Sequence, residues 1–142
     1  TRPWQHVLEP LSGYLLLGLK LNQKKHINGH AYNFGPKRSQ NKTVKELINE
    51  MSLHWEKVAW KRSKDFNKQY HEAGLLRLNC QKAKEHLDWK PNLNFNQTVN
   101  FTINWYKKYY NNKKKEPMYD FGLSQIREYC YIAKKNNLLW TK

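Results

Sequence analysis

Acidic residues are scarce in this chain: 11 against 26 basic ones in 142 residues, for a formal net charge of +15. Arginine is scarce too, with five against 21 lysines. Surfaces that read nucleic acid favour the planar guanidinium fork, which grips phosphate at two points. The lysines are instead spread among 16 asparagines. The densest cluster, Lys107-Lys108 with Lys113-Lys114-Lys115, falls at and beyond a helix end, where solvent and the helix dipole favour cations. The charge therefore reads as a solvated face, and no nucleic-acid partner is expected. A small basic nucleic-acid-binding module is the rival reading from a different class.

Cysteine is also rare. Cys80 and Cys130 match no metal spacing and form no disulfide framework, which suits a reducing, cytoplasmic setting. The longest apolar run, Leu15 to Leu21, is broken by Gly18 and Lys20 and falls far short of the roughly 20 apolar residues that span a bilayer. No membrane partner is expected. Triplets of the glycosylation type at Asn41, Asn96 and Asn100 come with no secretory signal and follow from the abundance of asparagine. No glycine-rich GxxGxxG turn occurs, which excludes the backbone cradle that holds a dinucleotide pyrophosphate. A Tyr-x-x-x-Lys pair occurs at Tyr131 and Lys135, but both lie on an amphipathic helix, where Tyr131 reads as a packing residue. No catalytic residue is therefore assigned. What is present is core material, 39% apolar and 14% aromatic, enough to exclude disorder.

Periodicity places a helix from Glu9 to about Leu21, with Pro10 in its first turn and Leu11, Tyr14, Leu15 and Leu19 at helical spacing. Gly13 and Gly18 leave room for a close neighbour. Thr43 and Glu46 form a capping box for a helix to about Trp55, and Asn94 with Gln97 a second one for a helix to about Tyr110. That long helix carries Phe95, Val99, Ile103, Tyr106 and Tyr110 on one face. Gln81 to Leu87 reads as a short helix. Ser124 is expected to cap a last one carrying Ile126, Tyr129, Cys130 and Ile132. Tyr32–Phe34, Val58–Trp60 and Leu75–Leu78 read as short strands, and Trp4, Trp89 and Trp105 as core. The fold class expected is α/β, as a mostly helical lobe with a few short strands. Three brief strands make a poor independent sheet, so part of the apolar face is expected to pack on a segment outside this chain.

The opening run, Thr1-Arg-Pro-Trp-Gln-His-Val-Leu-Glu-Pro-Leu-Ser-Gly-Tyr-Leu-Leu-Leu17, packs polar tips beside an apolar helix, a pattern that favours a ligand-facing edge. Three further blocks follow in order: Ala31-Tyr-Asn-Phe-Gly-Pro36, His71-Glu-Ala-Gly-Leu-Leu-Arg-Leu78 with Asp88-Trp-Lys-Pro91, and Thr102-Ile-Asn-Trp-Tyr106. Together these resemble the CDP-glucose 4,6-dehydratases, of the extended short-chain dehydrogenase/reductase superfamily, over essentially the whole chain. The resemblance implies that residues 1–142 are the C-terminal, substrate-binding portion of such an enzyme, an incomplete domain without the dinucleotide-binding sheet. It also implies NAD in the full-length enzyme, bound by the missing N-terminal half, and none by this chain alone. The substrate would be CDP-glucose, oxidised at C4, dehydrated across C5 and C6 and reduced at C6, in the supply of deoxysugars for surface polysaccharide. Relatives self-associate, so a homo-oligomer is implied for the complete enzyme. The rival within the fold is another nucleotide-sugar dehydratase or epimerase.

Within that resemblance, Arg2 is the first choice for the diphosphate, since one guanidinium can donate two charge-assisted hydrogen bonds. His71 and Glu72 match a block that lies by the nucleotide, where Glu72 could accept from a ribose hydroxyl or the cytosine amino group. Asn33 either binds ligand or fixes a turn. Gln5 and His6 are suited to hydrogen bonding, but as neighbours on an extended run they face opposite ways, so at most one meets the ligand. Relatives commonly place Gly before Trp-Lys-Pro, where this chain has Asp88; a left-handed helix terminus there is expected to be strained.

Overall fold

The computed structural model describes residues 1–61, 74–112 and 117–141. Among these residues five helices carry the fold: α1 (Leu8–Gln23), α2 (Val44–His54), α3 (Gln81–Leu87), α4 (Phe95–Asn111) and α5 (Tyr119–Lys135). Single 3-10 turns lie at Lys25–Ile27, Arg38–Gln40 and Leu139–Thr141. α1 packs on α3, α2 on α4, and α4 on α5. None of these helices is long and apolar enough to cross a membrane.

Both capping boxes form as the sequence predicts. The Glu46 N–H donates to Thr43 Oγ1 at 3.1 Å and the Glu46 carboxylate accepts the Thr43 N–H at 2.8 Å. These bonds to Thr43, with Lys42 beside them, hold the Glu46 carboxyl down to about 2. Asn94 and Gln97 exchange the equivalent pair, both at 2.9 Å. At the other end of α2, the Lys107 ammonium donates to the His54 carbonyl at 3.0 Å, so one lysine of the basic cluster closes a helix. Lys113, Lys114 and Lys115 lie outside the described residues.

Three expectations are corrected. The described residues contain no strand, only an isolated antiparallel bridge between Arg2 and Lys42, so the short strands of the α/β reading give way to a mostly helical lobe. Tyr32–Phe34 and Leu75–Leu78 run without a ladder, and their polar groups are met one at a time. The Gln5 amide donates to the Phe34 carbonyl at 3.0 Å, the Asn33 amide to the Asn79 carbonyl at 3.2 Å, and the Leu76 N–H to the Thr1 carbonyl at 3.2 Å. Val58–Trp60 follows a turn in which the Val58 N–H donates to the Trp55 carbonyl. Residue types that favour strands supply extended backbone, but a ladder needs a partner in register.

Second, Ser124 caps nothing. It lies inside α5, and its hydroxyl donates back to the Phe121 carbonyl at 2.7 Å, as serines within helices do. Third, α1 is turned the other way. Leu11, Tyr14, Leu15 and Leu19 face solvent, Leu15 at 79% exposure, while Glu9, Ser12, Gly13 and Leu16 are buried. Tyr106 and Tyr110 on α4 and Ile126, Cys130 and Tyr131 on α5 are exposed as well. Tyr131 is no packing residue; its ring lies 5.4 Å from the Lys135 ammonium.

The core has two parts. Leu16, Ile27, Phe34, Ala83, Leu87 and Trp89 form one, and Leu93, Phe101 and Tyr129 the other, with Trp140 against both. Trp89 is buried as expected, whereas Trp4 and Trp105 are only half-buried. Phe34 meets Trp89 edge-on at 5.0 Å between ring centroids, and lies directly on Gly13 of α1. Asp88 ends α3 in the left-handed region, at φ 55° and ψ 29°. Its carboxylate lies 3.7 Å from the Lys90 ammonium, but both groups are exposed, and such pairs contribute little. Asp88→Gly should therefore stabilise the chain by about 0.5–1 kcal/mol through relief of backbone strain, read as a raised thermal midpoint.

Candidate functional site

The opening run is anchored at both ends. Beyond it, α1 is held by a buried polar knot around Glu9, which is 1% exposed. The Asn92 N–H donates to both carboxylate oxygens at 2.9 and 3.1 Å, and the Leu93 N–H to one at 2.6 Å. The Tyr129 hydroxyl reaches Glu9 at 3.3 Å and Ser12 Oγ at 3.1 Å, and the Trp89 indole N–H donates to Ser12 Oγ at 3.3 Å. Burial pushes the Glu9 carboxyl up from its usual value, against the pull of the backbone donors and Tyr129. Burial, with the Glu9 charge beside it, likewise pushes the Tyr129 hydroxyl up. The knot ties α1 to the turn before α4 and to α5, and so fixes where the run from Arg2 to Val7 ends.

At the other end, Arg2 pairs with Lys42 in both directions, N–H to O at 2.9 and 3.3 Å. The Trp4 indole N–H donates to the same Lys42 carbonyl at 3.0 Å. The Thr1 carbonyl accepts from the Arg2 guanidinium at 3.0 Å and from the Leu76 N–H, while the Thr1 nitrogen donates to the Gly74 carbonyl at 2.6 Å. The edge carrying Arg2 thus lies against the segment that begins at Gly74. His71 and Glu72 themselves lie outside the described residues.

Gln5 and His6 point to different neighbours. The Gln5 amide is committed to Phe34, and its buried Oε1 has no hydrogen-bond partner among the described residues. His6 is buried edge-on against Phe101, 5.5 Å between ring centroids, and its Nδ1 accepts the Leu8 N–H at 3.3 Å at the start of α1. Burial lowers its pKa, which favours the neutral imidazole. Asn33 is exposed and spans to the Asn79 carbonyl. Of the six residues singled out in the sequence, the described structure therefore places Arg2 beside the 74–76 segment, and sets Gln5, His6 and Asn33 in contacts with their own chain.

The chain is similar to a CDP-glucose 4,6-dehydratase. That enzyme, from Salmonella typhimurium, is 36% identical to it over 107 residues, which is 75% of this chain and 29% of the dehydratase. The chain thus spans less than a third of the length of this relative. No protein-family model matches. The described residues do not fit the dinucleotide that the resemblance implies: no strand leads into a glycine-rich helix start, and α1 begins Val7-Leu8-Glu9-Pro10, with side chains where a cradle needs bare backbone. Among the described residues, no group of three His, Cys, Asp or Glu is placed to hold a metal ion.

The Glu9 knot went unread in the sequence. Its one signal is a carboxylate in the first turn of an otherwise apolar helix, which ordinarily means a favourable dipole contact at the surface.

Proposed function

We propose that this chain is the C-terminal, substrate-binding portion of a CDP-glucose 4,6-dehydratase-like enzyme, which converts CDP-D-glucose to CDP-4-keto-6-deoxy-D-glucose and water. Redox and acid/base chemistry belong to an N-terminal half with its NAD. This portion holds the CDP end of the substrate and is inactive alone. The observation that supports the reading is the hydrogen bond from the Leu76 N–H to the carbonyl of Thr1, next to Arg2, which brings together two blocks distant in sequence that resemble the dehydratase pattern. Arg2 grips the diphosphate, and Glu72 accepts from the nucleoside.

The test is a calorimetric titration with CDP, with UDP and dTDP as competitors. Arg2→Gln should weaken CDP about tenfold, roughly 1.4 kcal/mol, the low end for losing charge-assisted bonds. Preference for UDP or dTDP would move the chain to another nucleotide-sugar enzyme. Submicromolar binding to single-stranded or duplex nucleic acid with a steep salt slope, and no response to CDP, would overturn the proposal.

A further inference from the structure

A cavity of about 940 Å³ lies between the Gly35–Arg38 segment, the start of α3 and the 89–92 turn, with Asn136 and Leu138 on its far wall. That is within the size range of small-molecule sites, roughly 300–1,000 Å³. Its charged lining is of one sign: Lys37, Arg38, Lys84 and Lys90, with no Asp or Glu among the lining residues. Lys90 lies 3.7 Å from Asp88, but Lys37, Arg38 and Lys84 make no ion pair among the described residues. Three uncompensated cations around one hollow repel one another, and a concave wall focuses their field on whatever enters. Leu78 and Pro91 supply a half-buried apolar wall and Asn79 an exposed amide, while the Asn92 and Asn136 amides are committed to Tyr129 and to each other, so the cavity offers surface for an organic group beside its cations.

We infer that this cavity is a binding site for a small phosphorylated molecule, its phosphates held by Lys37, Arg38, Lys84 and Lys90. The site shares no lining residue with the Arg2 edge and stands independently of the CDP reading. All four cations are exposed, and what sets them apart from the rest of the basic surface is their convergence on one concavity.

Cys80 lines the cavity and Cys130 does not, so the two free thiols make an internal comparison. Iodoacetamide labelling of each thiol is followed by mass spectrometry with and without inorganic pyrophosphate. At ten times the dissociation constant about one molecule in eleven is empty, so labelling of Cys80 should slow about tenfold while that of Cys130 is unchanged. The double variant Arg38→Gln/Lys84→Gln should lose the protection, whereas Lys24→Gln/Lys25→Gln and Arg2→Gln should keep it. Circular dichroism of the variants separates lost binding from lost fold; if the double variant unfolds, Lys37→Gln replaces it. Equal protection of both thiols, equal loss on removing Lys24 and Lys25, or no protection at millimolar pyrophosphate would overturn the inference. Loss of CDP binding in Arg2→Gln with Cys80 protection intact would leave both readings standing.

Discussion

Glu9→Ala is expected to cost about 3–5 kcal/mol, because it strands two buried backbone donors, each worth about 1–3 kcal/mol when unpaired, and leaves a hole beside Tyr129. Against a total stability of roughly 5–15 kcal/mol, that leaves little folded chain at 37 °C, as chemical denaturation would show. Glu9→Gln is the informative partner. Its carbonyl, in the place of Oε1, can still accept from Asn92 and Leu93, while its amide, in the place of Oε2, can donate to the Tyr129 hydroxyl but also meets the Asn92 N–H, so part of the stability should remain. The two also differ in pH dependence. Burial raises the native Glu9 carboxyl above its usual value of 4.5, so the folded chain holds that proton to higher pH than the unfolded chain does. Its contribution is full below 4.5 and is lost as pH rises through the native value. The thermal midpoint of the native chain relative to Glu9→Gln should therefore fall as pH rises from below 4.5. A difference independent of pH would remove Glu9 from the titrating groups.

Alanine at Gly13 and at Gly18 should act in opposite directions, although both glycines sit in one helix. A Cβ on Gly13 would fall 2.4 Å from Phe34 Cδ1 and 2.6 Å from Cε1. The ring cannot swing clear, since it is packed edge-on against Trp89 and against Tyr14, 5.6 Å between centroids. Overpacking of this kind costs about 1–3 kcal/mol, more than the gain in helix propensity of up to about 1 kcal/mol returns. A Cβ on Gly18 meets nothing within 4 Å, so that substitution should stabilise by about 0.5–1 kcal/mol. Thermal midpoints of the two variants on either side of the native value are the expected outcome; two shifts of one sign would mean that Phe34 does not pack on α1 as described.

What could be read in the sequence was what depends on near neighbours. The Thr43/Glu46 and Asn94/Gln97 boxes and the Gln81–Leu87 helix are set by groups three or four residues apart, and all stand as expected. The strain at Asp88 follows from a local backbone requirement. The phase of α1 could not be found that way. Its leucines have the right spacing, but which stripe turns inward is decided by donors on Asn92, Leu93 and Tyr129, brought to Glu9 from distant parts of the chain. Tyr32–Phe34 has the composition of a strand but no in-register partner among the described residues. The candidate site divides in the same way. The Arg2 motif is visible as a block, while its contact with the 74–76 segment exists only in space, as does the gathering of Lys37, Arg38 and Lys84 around one cavity.

The Glu9 knot also sets an order of events. Helices α1 to α5 are short-range objects and form quickly from local contacts, as helical chains do. The Glu9 to Tyr129 contact closes a loop of 120 residues and those to Asn92 and Leu93 loops of 83 and 84. The entropy of closure grows only slowly with loop length, but the loops cannot close until their far ends exist. Within this stretch α1 is synthesised before residues 92, 93 and 129, so the Glu9 carboxylate lacks these partners until they have followed. The position of α1 is thereby settled only when residues 92, 93 and 129 are in place.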